Sequence, residues 1–125
     1  MSNIVHFEIP ADDLERSKKF YSDMFGWKFE KFTFPDGMDY LIITTTDDQG
    51  SKAISGGVMR GHNPQHVMTN FIGVKSVDEY STKIPQSGGK VVMAKKAVPG
   101  MGYFALCLDT ENNSFGLWET DPNAK

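Results

Sequence analysis

The chain is poor in sulfur and in long apolar runs. Its 125 residues include a single cysteine, Cys107, so no intrachain disulfide can form. That fits a reducing compartment. No apolar stretch approaches the ~20 residues that a membrane-spanning helix needs, so no membrane partner is expected. The opening Met1-Ser2-Asn3-Ile4-Val5-His6 has neither a basic start nor an apolar core. It does not read as a signal peptide, and a cytoplasmic location is the expectation. Basic charge is also short: 13 Lys and Arg against 16 Asp and Glu leave a net charge of −3. A general nucleic-acid binder would show a basic face, so none is expected here. The chain has no GxGxxG after a strand, no P-loop and no Gx(Ser)xG elbow.

What is present suits one globular domain. The chain is 39% hydrophobic and 23% charged, with nine Phe, four Tyr and two Trp for the core. A chain of this length buries roughly two-thirds of its unfolded surface. Residues 3–9 alternate as a strand, with Val5, Phe7 and Ile9 on one face and Ile4, His6 and Glu8 on the other. Asp12 and Glu15 have capping-box spacing and open a helix in which Leu14, Ser17, Tyr21 and Met24 recur at helical intervals. Gly26 ends it. Three strands follow, over 27–33, 40–46 and 53–59, with a turn at Pro35-Asp36-Gly37.

After a loop at 60–66 the order recurs. Residues 67–74 read as a strand and Ser76-Val77-Asp78-Glu79 as a capping box. Val77, Tyr80 and Ile84 line a helix that Pro85 limits, and 90–98, 103–108 and 114–119 read as strands. An offset of 63 residues lays Ile9 on Ile72, Asp13 on Ser76 and Gly26 on Gly89. The chain thus repeats strand, helix, three strands. Cys107, between Leu106 and Leu108, reads as a core thiol. His62 and His66 read as exposed loop histidines, because Pro64 breaks a helix between them. Lys95-Lys96 reads as a solvated charge run.

The stretches "IPADDLERSKKFYSDMFGWKFE" and "SGGKVVMAKKAVPGMGYFALCLDTENNSFGLWE" resemble the vicinal oxygen chelate superfamily, which includes glyoxalase I, bleomycin-resistance proteins and extradiol dioxygenases. The Phe20-Tyr21 pair followed by Phe25-Gly26-Trp27, and the Pro-Gly-x-Gly turn before a strand ending in Asp109, carry the likeness across nearly the whole chain. The resemblance implies an α+β fold: a single domain, residues 1–125, of two tandem βαβββ modules, about 3–60 and 67–119. Each forms a curved mixed sheet with its helix outside and a concave pocket inside.

By resemblance, Val5, Phe7 and Ile9 pack under the helix, and Ile4, His6 and Glu8 face the concavity. Val67, Thr69 and Phe71 face inward in the fifth strand, with Met68, Ile72 and Val74 on the helix side. Ser114, Gly116 and Trp118 face inward in the eighth strand. Ligand-binding candidates are His6, Glu8, Thr69, Phe71, Tyr103 and Trp118, while no catalytic residue is assigned. Metal-dependent relatives draw one ligand each from strands one, four, five and eight. Here those positions carry His6, one of Ile54, Gly56 or Val58, then Thr69, then Gly116. Only His6 is a metal ligand by type, and a catalytic zinc wants about three protein ligands. Glu119 is near the eighth-strand position but has the wrong parity. The expectation is a binder of a small organic ligand without a cofactor, and by resemblance a homodimer. The alternatives are a divalent-metal-dependent lyase, isomerase or dioxygenase, and a non-catalytic interaction module.

Overall fold

Alternating segments become strands and the two capped segments become helices. The computed structural model describes residues 1–61 and 67–125, so His62 and His66 lie outside the described residues. The order is β1 (Ile4–Ala11), α1 (Leu14–Phe25), β2 (Lys28–Thr33), β3 (Asp39–Thr44), β4 (Ser55–Arg60), β5 (Thr69–Gly73), α2 (Val77–Gln86), β6 (Lys90–Val98), β7 (Gly102–Leu108) and β8 (Ser114–Thr120). This is the α+β pattern expected. The chain divides into an amino-terminal unit, His6–Met68, and a carboxy-terminal unit that joins Met1–Val5 to Thr69–Lys125.

In the amino-terminal unit the strands run β2-β3-β4-β1. β1 and β4 are parallel, and the other neighbours are antiparallel. Ile9, Leu41, Ile43 and Val58 are buried under α1, with Phe7, Leu14, Tyr21, Trp27 and Phe29 packed against them. Each such side chain contributes on the order of 1.5–3 kcal/mol when fully buried. Tyr21 stacks on Trp27 with ring centroids 4.8 Å apart. Met24, expected on the inner helix stripe, is exposed instead, as are Phe20 and Phe25. Asp13, not Asp12, is the N-cap, and its carboxylate accepts from the Arg16 N–H at 3.0 Å. β1 runs on to Ala11, which delays the helix by one residue. Gly26 closes α1 in the left-handed conformation, φ 73°.

In the carboxy-terminal unit the order is β5-β8-β7-β6, with β5 parallel to β8. Val77, Ala105, Cys107 and Leu117 form the buried core, against which Val74, Tyr80, Ile84, Val91, Tyr103 and Phe115 pack. Ser76 caps α2 as expected, its hydroxyl accepting from the Glu79 N–H at 3.1 Å. Pro85 sits inside the last turn of α2, so the helix runs one residue past it, to Gln86. β5 starts at Thr69, which leaves Val67 and Met68 outside the strand and exposed. Val5 corrects another expectation. It belongs to this unit, and its side chain lies 3.0 Å from where a Cβ on Gly73 would stand, so it does not pack under α1. Lys95 and Lys96 are exposed, as expected of a solvated run, and the Lys95 ammonium pairs with Asp78 at 2.9 Å and sits 4.3 Å from the Tyr103 ring centroid.

Candidate functional site

Strand parity sends His6 and Glu8 to the face of the amino-terminal sheet away from α1, because Phe7 and Ile9 pack with the helix-side core. Register carries that face across the sheet. His6 pairs with Ser55 and Glu8 with Gly57 in β4, and Tyr40 pairs with Met59 from β3. The three polar side chains form a chain of hydrogen bonds. The Tyr40 hydroxyl donates to Glu8 Oε2 at 3.3 Å and lies 2.8 Å from His6 Nε2. With the phenol proton given to Glu8, Nε2–H of His6 is the donor to the Tyr40 oxygen.

Burial sets the charges. It lowers the pKa of His6 below the usual imidazole value. It raises Glu8 to about 7, against a smaller opposing effect of the Tyr40 hydrogen bond. Burial, then the neighbouring Glu8 charge and the bond to it, pushes the Tyr40 phenol well above its ordinary value. Around neutral pH His6 is therefore neutral and Glu8 is part-way through its titration, so the group shares a proton. Beside it the Ser55 hydroxyl is buried with no hydrogen-bond partner.

Tyr40 is absent from the residues singled out in the sequence. Its signal is Gly57: a Cβ there would lie 1.8 Å from the Tyr40 hydroxyl oxygen and 1.9 Å from Cζ. Only glycine lets the ring lie across β4 toward Glu8.

In the carboxy-terminal unit Thr69 and Phe71 are buried, and Trp118 is half-buried. Phe71 pairs with Gly116, and Phe104 with Trp118. The Phe71 ring lies over Gly116, where a Cβ would come within 2.2 Å of Cδ2. Phe71 also meets Phe104 edge-on, centroids 6.4 Å apart. Tyr103 corrects the candidate list: it pairs with Glu119 and packs against the helix-side core, opposite to Phe104 and Trp118. Glu119 has the parity expected of it, its carboxylate accepting from the Val77 N–H at 2.9 Å.

Among the described residues, the positions by which a divalent ion would be held do not carry a full set of ligands. The fourth-strand assignment needs correction, since Val58 is in the helix-side core and a Cβ on Gly56 would strike Phe7. Those that share the His6 face by register are Ser55, Gly57 and Met59. The eighth-strand position, Gly116, has its side-chain space taken by Phe71. Among the described residues no group of three or more His, Cys, Asp or Glu is arranged to hold a metal. A cleft of about 370 Å³ lies elsewhere, at the start of α1, between acidic Asp12, Asp13, Glu15 and Asp39 and basic Lys31 and Arg60. It includes none of the candidates.

The fold is that of a glyoxalase-like domain. The family described as "Bleomycin resistance protein-like N-terminal" matches residues 3–45. A glyoxylase-like domain-containing protein of Didymella fabae is 74% identical over 117 residues, covering 88% of both chains. The chain belongs to this glyoxylase-like family of the vicinal oxygen chelate superfamily. CFP32 of Mycobacterium tuberculosis, provisionally named a glyoxylase, is 26% identical over 117 residues, and the match spans 91% of this chain but only 44% of that protein. The anthracycline biosynthesis protein DnrV of Streptomyces peucetius is 22% identical over 126 residues, and the match spans 45% of its length. The chain thus covers less than half of these two relatives. Among solved structures, a methylmalonyl-CoA epimerase in complex with methylmalonyl-CoA and NH4+ superposes with a TM-score of 0.73 at 14% identity, over 96% of this chain and 95% of that one. The epimerase of Mycobacterium tuberculosis gives 0.68 at 13% identity, over 95% of this chain and 88% of that one. No helix among the described residues is long and apolar enough to cross a membrane.

Proposed function

We propose that the chain binds a small organic molecule through the inner face of its amino-terminal sheet and does so without a metal ion. The carrying observation is the His6–Tyr40–Glu8 chain with the orphaned Ser55 hydroxyl beside it. Buried polar groups are almost always satisfied, so an unpaired hydroxyl next to a proton-sharing cluster suits a guest that supplies the missing partner. Relatives point to organic compounds as the guest class, one being named for anthracycline biosynthesis and another carrying methylmalonyl-CoA.

A second reading is an interaction module whose inner faces are filled by its own rings. The burial of Tyr40 and Phe71, 7% and 5% exposed, favours it. A thermal-shift screen of flat polyketides and acyl-CoA thioesters separates the two. A true ligand at 100 times its dissociation constant adds ~2.7 kcal/mol of stability. That gain should vanish in Ser55→Ala and Glu8→Gln. If no compound stabilises the folded protein, the binding reading fails and the module reading stands.

A further inference from the structure

We propose that Tyr40 is a built-in occupant of the space from which a fourth-strand metal ligand would project, committing His6 to a phenol partner in place of a cation. The inference builds on the metal-free reading above and names the residue responsible for it.

The geometry is local to one sheet face. Glu8 is the register partner of Gly57, and His6 lies two residues before Glu8 on the same face. A carboxylate at position 57 would therefore join His6 and Glu8 as a third donor, the number that catalytic zinc sites draw from protein. Tyr40 prevents this in two ways. Its hydroxyl and Cζ stand within 2 Å of any Cβ at position 57, at 1.8 and 1.9 Å. Its oxygen also holds His6 Nε2 at 2.8 Å, and a nitrogen engaged by a hydrogen bond must release it before it can ligate. Removing the ring alone leaves two donors, and adding the carboxylate alone leaves the ring in place. Both changes are needed.

The experiment is equilibrium dialysis against Zn2+ followed by elemental analysis, on wild type, Gly57→Glu, Tyr40→Ala and Tyr40→Ala/Gly57→Glu, each with and without His6→Ala. The expected result is Zn2+ retention that depends on His6 in the double variant only, about one ion per chain. Retention dependent on His6 in the wild type, or in Gly57→Glu to the level of the double variant, overturns the proposal. So does a folded double variant that holds no ion. Should the double variant not fold, the His6 ring resonances carry the test: excess Zn2+, bound by two donors too weakly for dialysis to retain, should shift them in Tyr40→Ala, where the nitrogen is released, and leave them unmoved in wild type. An equal response in both overturns the proposal. None of these outcomes depends on finding an organic ligand, so a failed compound screen and a failed metal test remain distinct results.

Discussion

The two units share a topology and differ in what their inner faces hold. Each places its parallel strand pair, β1–β4 or β5–β8, beside two antiparallel neighbours and buries a four-residue core under one helix. Each also has a glycine in the strand next to its first one, with an aromatic ring laid over it. In the amino-terminal unit the ring is Tyr40, whose hydroxyl joins His6 and Glu8. In the carboxy-terminal unit it is Phe71, which meets the Phe104 ring edge-on. The helix side thus carries the stability common to both, and the opposite side carries the difference. The ring over the glycine carries a hydroxyl in the first unit and none in the second.

If the helix sides are equivalent, matched truncations there should cost alike. Ile43 and Leu117 are 0% and 2% exposed. Ile43→Ala and Leu117→Ala are each expected to lose about 2–5 kcal/mol in urea unfolding, because transfer and cavity costs add. A loss confined to one unit would break the comparison at its base.

The glycine seats sharpen it. Gly116→Ala sets a Cβ 2.2 Å from Phe71 Cδ2 and 2.9 Å from its Cγ, an atom tied close to the backbone. Gly57→Ala sets a Cβ within 2.3 Å of the Tyr40 Oη, Cζ and Cε1, on a buried ring tied by its hydroxyl to His6 and Glu8. Overpacking typically costs about 1–3 kcal/mol, and both substitutions should lie at the upper end. Tyr40→Leu should relieve Gly57→Ala, whereas Tyr40→Phe should not, since Cζ remains. Double-mutant cycles by chemical denaturation check this.

Most of the fold was legible because alternation and capping are local signals. The unread parts lie where local signals cancel. Gly56-Gly57 has no side chains to alternate, so the fourth strand was assigned the wrong face. Tyr103-Phe104 places two rings on opposite faces, and only pairing with β8, Tyr103 to Glu119 and Phe104 to Trp118, decides which turns inward. Tyr40 was invisible because its role arises from reaching across β4 to Glu8, a contact between residues 32 positions apart. His6 and Glu8 were legible as polar residues on an otherwise apolar strand. Their partner was not.

The proton-sharing face should also leave a mark on stability. Burial raises Glu8 from 4.5 to about 7 in the folded chain. A raised carboxyl favours the folded state most at pH below its unfolded value, and that contribution is lost as pH rises through about 7. The loss is on the order of 2–3 kcal/mol. His6 acts in the opposite sense, since burial depresses it and its share is lost as pH falls. Glu8→Gln should therefore gain on wild type between about pH 5 and pH 9 in urea midpoints, and Phe71→Leu in the apolar unit should show no such pH dependence. Parallel profiles for wild type and Glu8→Gln would remove the titrating group from the account.

The smallest effect tests the repeat itself. The 63-residue offset lays Asp13 on Ser76, and the structure makes both of them N-caps. The Asp12–Glu15 spacing, taken alone, pointed one residue too early. Asp13→Ala and Ser76→Ala should each cost about 1 kcal/mol, and Asp12→Ala should stay within about 0.5 kcal/mol of wild type. Ser76→Ala strands the Glu79 N–H, while the Glu119 carboxylate accepts from a different donor at the start of α2, the Val77 N–H. Glu119→Ala combined with Ser76→Ala should exceed the sum of the two single losses. Strict additivity in thermal unfolding would show that Ser76 and Glu119 act independently at the start of α2.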